Sequence, residues 1–303
     1  MPEIILHHYP MSPFSEKVRK VLAVKRIAWR AVEQPMWNPK PKLTPLTGGY
    51  RRIPVMQIGA EVYCDTACIL RALEARVPEP TLFPGDQQGA AEVIAWWADR
   101  QLFAVAAGLV LAAVGGTLPP EFKADRERMV PGLKIDALPA QAPHARNQFR
   151  AYCGALDRQL AGRPFILGAA FSLADAACFH ALWFARMDPG AAAILATFPA
   201  LGAWFARVDA LGSGAATPLD PDEALAIAAS SAPATLPTAD DGDPNGARPG
   251  DRVTVTPDDY AFDPVAGTIV ALSATDVAIR RHDAQLGELV VHFPRAGFRL
   301  APV

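Results

Sequence analysis

Apolar residues recur along this chain with three different periods, and the changes of period divide it into three stretches. In the first, residues 4–8 form a short apolar run that predicts a buried strand. Phe14, Val18, Val21 and Leu22 then fall at helical spacing, with Lys17, Arg19 and Lys20 on the opposite face. Pro13 suits the first turn of that helix, where its missing N–H costs nothing. A second strand fits residues 27–33. Residues 36–52 are rich in Pro, Gly and Thr and predict irregular backbone with at most a short helix. Residues 54–64 read as a hairpin around Gly59-Ala60, and Asp65 opens a helix that buries Ile69, Leu70 and Leu73 and ends before Pro78. The order β-α-β, loop, β-β-α predicts a small mixed sheet with helices on both faces.

From Asp86 the spacing is helical only. Residues 86–114 read as one long apolar helix, with Asp99, Arg100 and Gln101 as its polar interruption. Its most apolar run, residues 102–114, is too short to span a bilayer and predicts a buried core helix. Residues 115–143 predict a loop with some helix, because Pro119, Pro120, Pro131 and Pro139 break any long element. Helices follow at 145–160, 173–186 and 200–211. Ser172-Leu-Ala-Asp175 reads as a capping box that starts the apolar segment behind it. A short helix over 222–229 precedes a linker-like stretch, residues 230–249, rich in Ala, Pro, Asp and Gly. The third stretch turns to β: residues 252–256, 268–272, 276–281 and 288–293 are short alternating or β-branched runs punctuated by Gly267, Gly287 and Gly297. They predict a small all-β barrel or roll. The resulting domains are 1–80, 86–231 and 246–303.

Composition narrows the function. A chain of 303 residues suits two or three domains, and 51% hydrophobic residues supply a sizeable core. The net charge of −2 gives no reason to expect nucleic acid or an anionic membrane as partner. In the third stretch arginines are balanced by aspartates, and Arg280-Arg281-His282 predicts a solvated turn. Cys64, Cys68, Cys153 and Cys178 show no CxxC pair and predict buried, reduced thiols. None of the six histidines has metal-ligand spacing, and His7 and His8, adjacent on a strand, point to opposite faces, so no metal site is expected. The N-terminal segment lacks an apolar secretory core, which leads to the expectation of a cytoplasmic location.

Three segments carry specific chemistry. Tyr9-Pro-Met-Ser12-Pro-Phe-Ser15-Glu-Lys-Val-Arg19 resembles the active-site turn of cytosolic glutathione transferases that use serine or cysteine. Ile53-Pro54, the hairpin and Asp65-Thr66 resemble that family's glutathione-binding half, and Ser172-Leu-Ala-Asp175 resembles the capping motif of its helical domain. The resemblance covers residues 1–213. It implies an α/β thioredoxin-like N-terminal domain followed by an all-α helical bundle, with glutathione as co-substrate and a homodimer in the cytoplasm.

Ser12 lies between the first strand and a helix N-terminus, where its hydroxyl and the helix dipole would stabilise a thiolate. Thiolate is the nucleophile, so Ser12 is the implied catalytic residue. A plain N-cap is the simpler alternative for Ser12, and Ser15 is the second candidate. Serine at this position cannot form the mixed disulfides that cysteine-type relatives use. Ile53-Pro54 resembles the family's cis-proline turn, which exposes the Ile53 backbone to the cysteinyl part of glutathione. Asp65 and Thr66 match the place where the γ-glutamyl ammonium and carboxylate are held. Arg52 is a candidate for the glycyl carboxylate, with Lys40 and Lys42 as further candidates, while Arg51 stands where relatives commonly have small residues. A small hydrophobic electrophile would lie between the two domains against Met11, Phe14, Trp96, Trp97, Arg100 and Phe103, although such an aromatic stripe also suits a core or a dimer interface. Two functions stay open: an enzyme that activates the glutathione thiolate for attack on such an electrophile, and a non-catalytic protein of the same fold that binds a ligand or partner.

Overall fold

The computed structural model describes residues 3–234 and 242–303. Strand β1 (Ile5–His8) leads through a turn into α1 (Pro13–Val24), and β2 (Ala28–Glu33) returns parallel to β1 with Arg30 opposite Ile5. A single helical turn, α2 (Thr44–Thr47), interrupts the following loop. The hairpin β3 (Val55–Ile58) and β4 (Glu61–Cys64) then leads into α3 (Thr66–Arg76). Because β3 runs antiparallel to β1, the strands lie in the order β4-β3-β1-β2. The pleat sends neighbouring side chains to opposite faces. Leu6, Met56 and Ile58 therefore pack under Val18, Val21 and Leu22 of α1 and Ile69, Leu70 and Leu73 of α3. Ile5 and Val32 face the other way.

The second unit is helical. α4 (Gln88–Trp97) runs without a break through a π-helical turn (Ala98–Leu102) into α5 (Phe103–Val114). The continuous helix Gln88–Thr117, 30 residues, is long and apolar enough by length and composition to cross a membrane, which the run 102–114 alone is not. One face, including Ala91, Ala95, Ala98, Leu102, Ala106 and Leu109, packs into the helical core, while Val93 and Trp96 are exposed. The run 102–114, expected as a buried core helix, buries Leu102, Ala106, Leu109 and Val110 on one face and exposes Ala104 and Ala113 on the other. α6 (Pro120–Met129), α7 (Leu138–Leu160), α8 (Leu173–Ala185), α9 (Pro189–Leu195) and α10 (Pro199–Asp209) complete the unit. The loop expected over 115–143 is largely helical. Pro120 and Pro139 occupy first turns, where no N–H is needed, so they start helices rather than break them.

The capping segment holds this bundle together from inside. The buried Asp175 carboxylate accepts the Ser172 N–H (2.9 Å) and hydroxyl (2.6 Å), the Ile166 N–H (2.8 Å) and the Trp204 indole N–H (2.8 Å). Burial pushes its pKa up, and these donors oppose that push. All four cysteines are buried free thiols.

The chain then returns to the first sheet. β5 (Ala215–Pro218) pairs parallel with β2, and α11 (Pro221–Ala229) covers Ile5 and Val32 through Ala224. Strands β6 (Arg252–Pro257), β7 (Val265–Leu272), β8 (Asp276–Asp283) and β9 (Gly287–Pro294) form an antiparallel meander, and β10 (Phe298–Pro302) folds back beside β6. Residues 235–241 of the expected linker lie outside the described residues.

This roll is joined to the first sheet. β9 pairs parallel with β4, Val290 opposite Glu61, so ten strands of the described residues form one sheet. An open edge of β4 would present unpaired N–H and C=O groups, and β9 satisfies them. A shared core, separate from the one under α1 and α3, joins them: Leu43, Leu46, Val55 and Val62 cluster with Val253, Val265, Ile279, Leu289 and Phe293. At the seam Arg71 grips Asp276 through two bonds (2.8 and 2.6 Å), His292 pairs with Glu61, and Tyr63 stacks on the His292 ring. Arg280-Arg281-His282 is part of β8 rather than a turn, and Arg281 donates to the Pro45 carbonyl (2.5 Å).

Candidate functional site

Strand register brings the three chemistry-bearing segments to one end of the first sheet. His7, near the end of β1, lies opposite Val55, the first residue of β3, and Val55 lies opposite Cys64, the last of β4. The turn after β1, the Ile53-Pro54 turn before β3 and the Asp65-Thr66 corner after β4 are therefore neighbours. Ser12 caps α1: its Oγ accepts the Ser15 N–H (3.2 Å), and its own hydrogen, which has no acceptor among the described residues, can still donate. The residue is only 1% exposed. The hydroxyl of Ser15 is buried and has no partner among the described residues. The Ile53–Pro54 bond is cis, and sheet pairing begins at Val55, so the Ile53 backbone is not used by the sheet.

Asp65 caps α3 through the Ala67 N–H (2.9 Å) while holding φ 73° and ψ 142°. A non-glycine residue rarely adopts that conformation, and such strain concentrates at ligand sites. Burial raises its pKa, against the pull of the Ala67 N–H and of Arg52.

Beside Asp65, Thr66 belongs to a buried chain of polar groups that the sequence did not reveal. Lys17 Nζ donates to Thr66 Oγ1 (3.1 Å) and pairs with Asp99 (2.6 Å), whose other oxygen meets His180 Nε2 (2.9 Å). The chain runs from α1 and α3 to the π-helical turn and α8, so it couples the first domain to the second. A π-helical turn inside an α-helix often marks a functional position. Burial opposes the charge on Asp99, but Lys17 and His180 outweigh it and hold the carboxylate below its ordinary range. Burial keeps the His180 pKa low despite Asp99, so the ring is neutral and donates through Nε2.

The third domain also reaches this end of the sheet. The loop between β6 and β7 sets Asp258 against Arg100 (3.0 Å) and Asp259 against Arg52 (2.5 Å). The Tyr260 ring lies 3.6 Å from the Arg52 guanidinium, its carbonyl accepts from Arg52, and the Ala261 N–H donates to Met129 of α6 (2.8 Å). Arg52, read as a partner for a glycyl carboxylate, thus already holds a carboxylate of its own chain. Lys40 is drawn away too. It donates to the Pro35 carbonyl and lines an open groove of about 900 Å³ with Arg51, Arg128 and Phe262. Burial, with Arg126 and Arg51 nearby, lowers its pKa to about 8. Arg51 is paired with Asp125.

The expected electrophile wall is partly assembled. Met11 is 44% exposed beside Ser12, and Phe14 packs edge-on to Phe103 (4.6 Å) and against His180 (4.7 Å). Arg100 is engaged by Asp258. Trp97 is half-buried against the helical core, edge-on to Tyr152 of α7 (5.4 Å). Trp96 faces outward.

Near the site, β1 carries a pH-sensitive pair. Burial holds His7 at a pKa of about 4, and its two ring nitrogens meet Gln57 (2.9 Å) and Gln34 (3.2 Å). Burial, then Arg19 and His7, lowers His8 to about 4 as well. Above pH 6.5 both histidines are neutral whether the chain is folded or not. Between 6.5 and 4 the unfolded chain binds protons that the folded chain refuses, so stability falls as the pH drops through that window. Urea midpoints measured at pH 7 and pH 4.5 should differ, and His7→Gln should remove about 2–3 kcal/mol of that difference. An identical pH dependence in the variant would contradict this assignment.

Comparison with known proteins identifies the family. Residues 6–81 match the family described as glutathione S-transferase, N-terminal domain, and residues 139–207 the glutathione S-transferase, C-terminal domain. A crystal structure of a GST-like protein from Pseudomonas syringae is 36% identical, with a TM-score of 0.84, over 100% of both chains. The chain belongs to the glutathione S-transferase family, and its likeness to the Pseudomonas protein includes the third domain. It is also 27% identical over 186 residues, 59% of this chain and 75% of the other, to FtsZ-localized protein A of Caulobacter vibrioides. A rice glutathione S-transferase solved in complex with glutathione shares the fold at 20% identity, with a TM-score of 0.52 over 73% of this chain and 92% of that one.

Proposed function

We propose that the protein is a glutathione transferase-like enzyme that activates the glutathione thiolate for attack on a small apolar electrophile. The observation that carries this reading is the Ser12 hydroxyl, bonded as an acceptor yet free to donate, at the N-terminus of α1 and at the same sheet end as the Ile53 backbone and Asp65-Thr66. In this reading the cysteinyl backbone pairs with Ile53, and Ser12 and the helix dipole stabilise the sulfur anion. Asp65 receives the γ-glutamyl ammonium. Thr66, with the Lys17 ammonium behind it, receives the carboxylate. The electrophile approaches along Met11, Phe14 and Phe103.

A second reading, a binding protein of the same fold, is favoured by one observation: Arg52 is occupied by Asp259. Calorimetric titration with glutathione, followed by a conjugation assay, separates the two. Saturable binding with Ser12-dependent turnover is the expected result. Binding without turnover supports the second reading, and no measurable binding removes the first.

A further inference from the structure

Glutathione ends in a glycyl carboxylate, and in this fold the Arg52 guanidinium is the cation nearest the Ile53-Pro54 turn in sequence. That guanidinium is nine-tenths buried and engaged through one nitrogen: Asp259 takes Nη2 at 2.5 Å, the Tyr260 carbonyl takes the same nitrogen, and the Tyr260 ring covers its face at 3.6 Å. The loop that delivers these groups is fixed at three further points: Asp258 on Arg100 of the π-helical turn, Ala261 on the Met129 carbonyl of α6, and the flanking strands β6 and β7. Arg52 Nε is buried without a partner among the described residues. The loop therefore imitates a bound carboxylate at Nη2 and offsets the guanidinium charge, and leaves Nη1 and the buried Nε without a partner among the described residues.

We propose that Asp259 is a specificity-determining residue: by occupying Arg52 it makes the site accept γ-glutamyl thiols without regard to a terminal glycine. This rests on the glutathione-binding reading above. The cleft then recognises the γ-glutamyl and cysteinyl parts, held by Asp65, Thr66 and the Ile53 backbone. A carboxylate one residue further along meets a guanidinium whose charge Asp259 already offsets, and gains little from the Nη1 donors that remain.

The test compares glutathione with γ-glutamylcysteine, which lacks the glycine, as calorimetric ligands for three full-length proteins. Wild type should bind the two with affinities within roughly threefold of each other. Asp259→Ala should prefer glutathione by roughly tenfold or more, because a charge-assisted hydrogen bond to the freed Arg52 becomes available. Asp258→Ala loosens the same loop at Arg100 but leaves Arg52 occupied, and should keep the wild-type ratio. Thermal melts establish that each variant is folded. An unchanged ratio in Asp259→Ala overturns the proposal, as does an equal change in Asp258→Ala, which would assign the effect to loop mobility. If none of the proteins binds either thiol, the glutathione reading itself falls and this inference falls with it.

Discussion

Replacing Ser12 by alanine should lower kcat/KM for glutathione conjugation by roughly 10²–10³-fold, the usual effect of deleting one preorganised donor to a reacting anion. The same change should cost the fold only about 1 kcal/mol, the value of an N-cap side chain. The two numbers separate because Ser12 does two things with one oxygen. Its lone pair accepts the Ser15 N–H and starts α1, while its hydrogen remains for a ligand. A residue that served only as an N-cap would lose stability and leave turnover, corrected for the folded fraction, unchanged. Ser15→Ala is the control. Its hydroxyl is buried without a partner among the described residues, so its removal should leave kcat/KM within about threefold of wild type if Ser12 is the donor. Loss of turnover in Ser15→Ala alone would transfer the role.

The largest stability effect should come from Lys17→Met. Lys17 is 1% exposed, and its ammonium is the cation that pairs Asp99 and bonds Thr66. Removing one member of a buried ion pair leaves the other charge uncompensated, and costs about 3–5 kcal/mol. The loss should appear as a lower urea midpoint with an unchanged slope. Asp99→Leu added to Lys17→Met should recover part of it, since the stranded carboxylate is then gone. In a double-mutant cycle the coupling between the two positions should be at least about 1 kcal/mol. Additive losses would mean that the pair contributes nothing beyond the packing of its separate side chains. Because Lys17 also supports Thr66, the single variant should bind glutathione more weakly at temperatures where it remains folded.

How much of this was legible in the sequence follows from the range of the interactions. Ser12, Ile53-Pro54 and Asp65-Thr66 were readable because each is a local motif, and strand register alone then brings them to one end of a sheet. The Lys17–Asp99–His180 chain was not, since its members are 82 and 81 positions apart and meet only through domain packing. Yet two of the three left a trace. Asp99, with Arg100 and Gln101, interrupted an apolar helix, and His180 sat in an apolar segment; polar residues on such helices can satisfy each other when the helices pack. The prolines misled for a different reason: Pro120 and Pro139 were read as breakers, but position within a helix decides their effect, and both fall in first turns. The roll was visible as alternating runs, whereas its docking on β4 depends on an edge that only the assembled first sheet defines. Asp259 could not be anticipated at all, because its partner Arg52 lies 207 positions earlier.

The central claim is that Ser12 and the N-terminus of α1 stabilise a glutathione thiolate, and it can be measured on the bound ligand itself. Titrating the ultraviolet absorbance of the thiolate in the saturated complex against pH gives its midpoint directly. A midpoint at least about one unit below the ordinary thiol value of about 8.5, returning toward that value in Ser12→Ala, is the expected result. A midpoint near that of the free thiol in wild type, or the same depressed midpoint in both proteins, would contradict it.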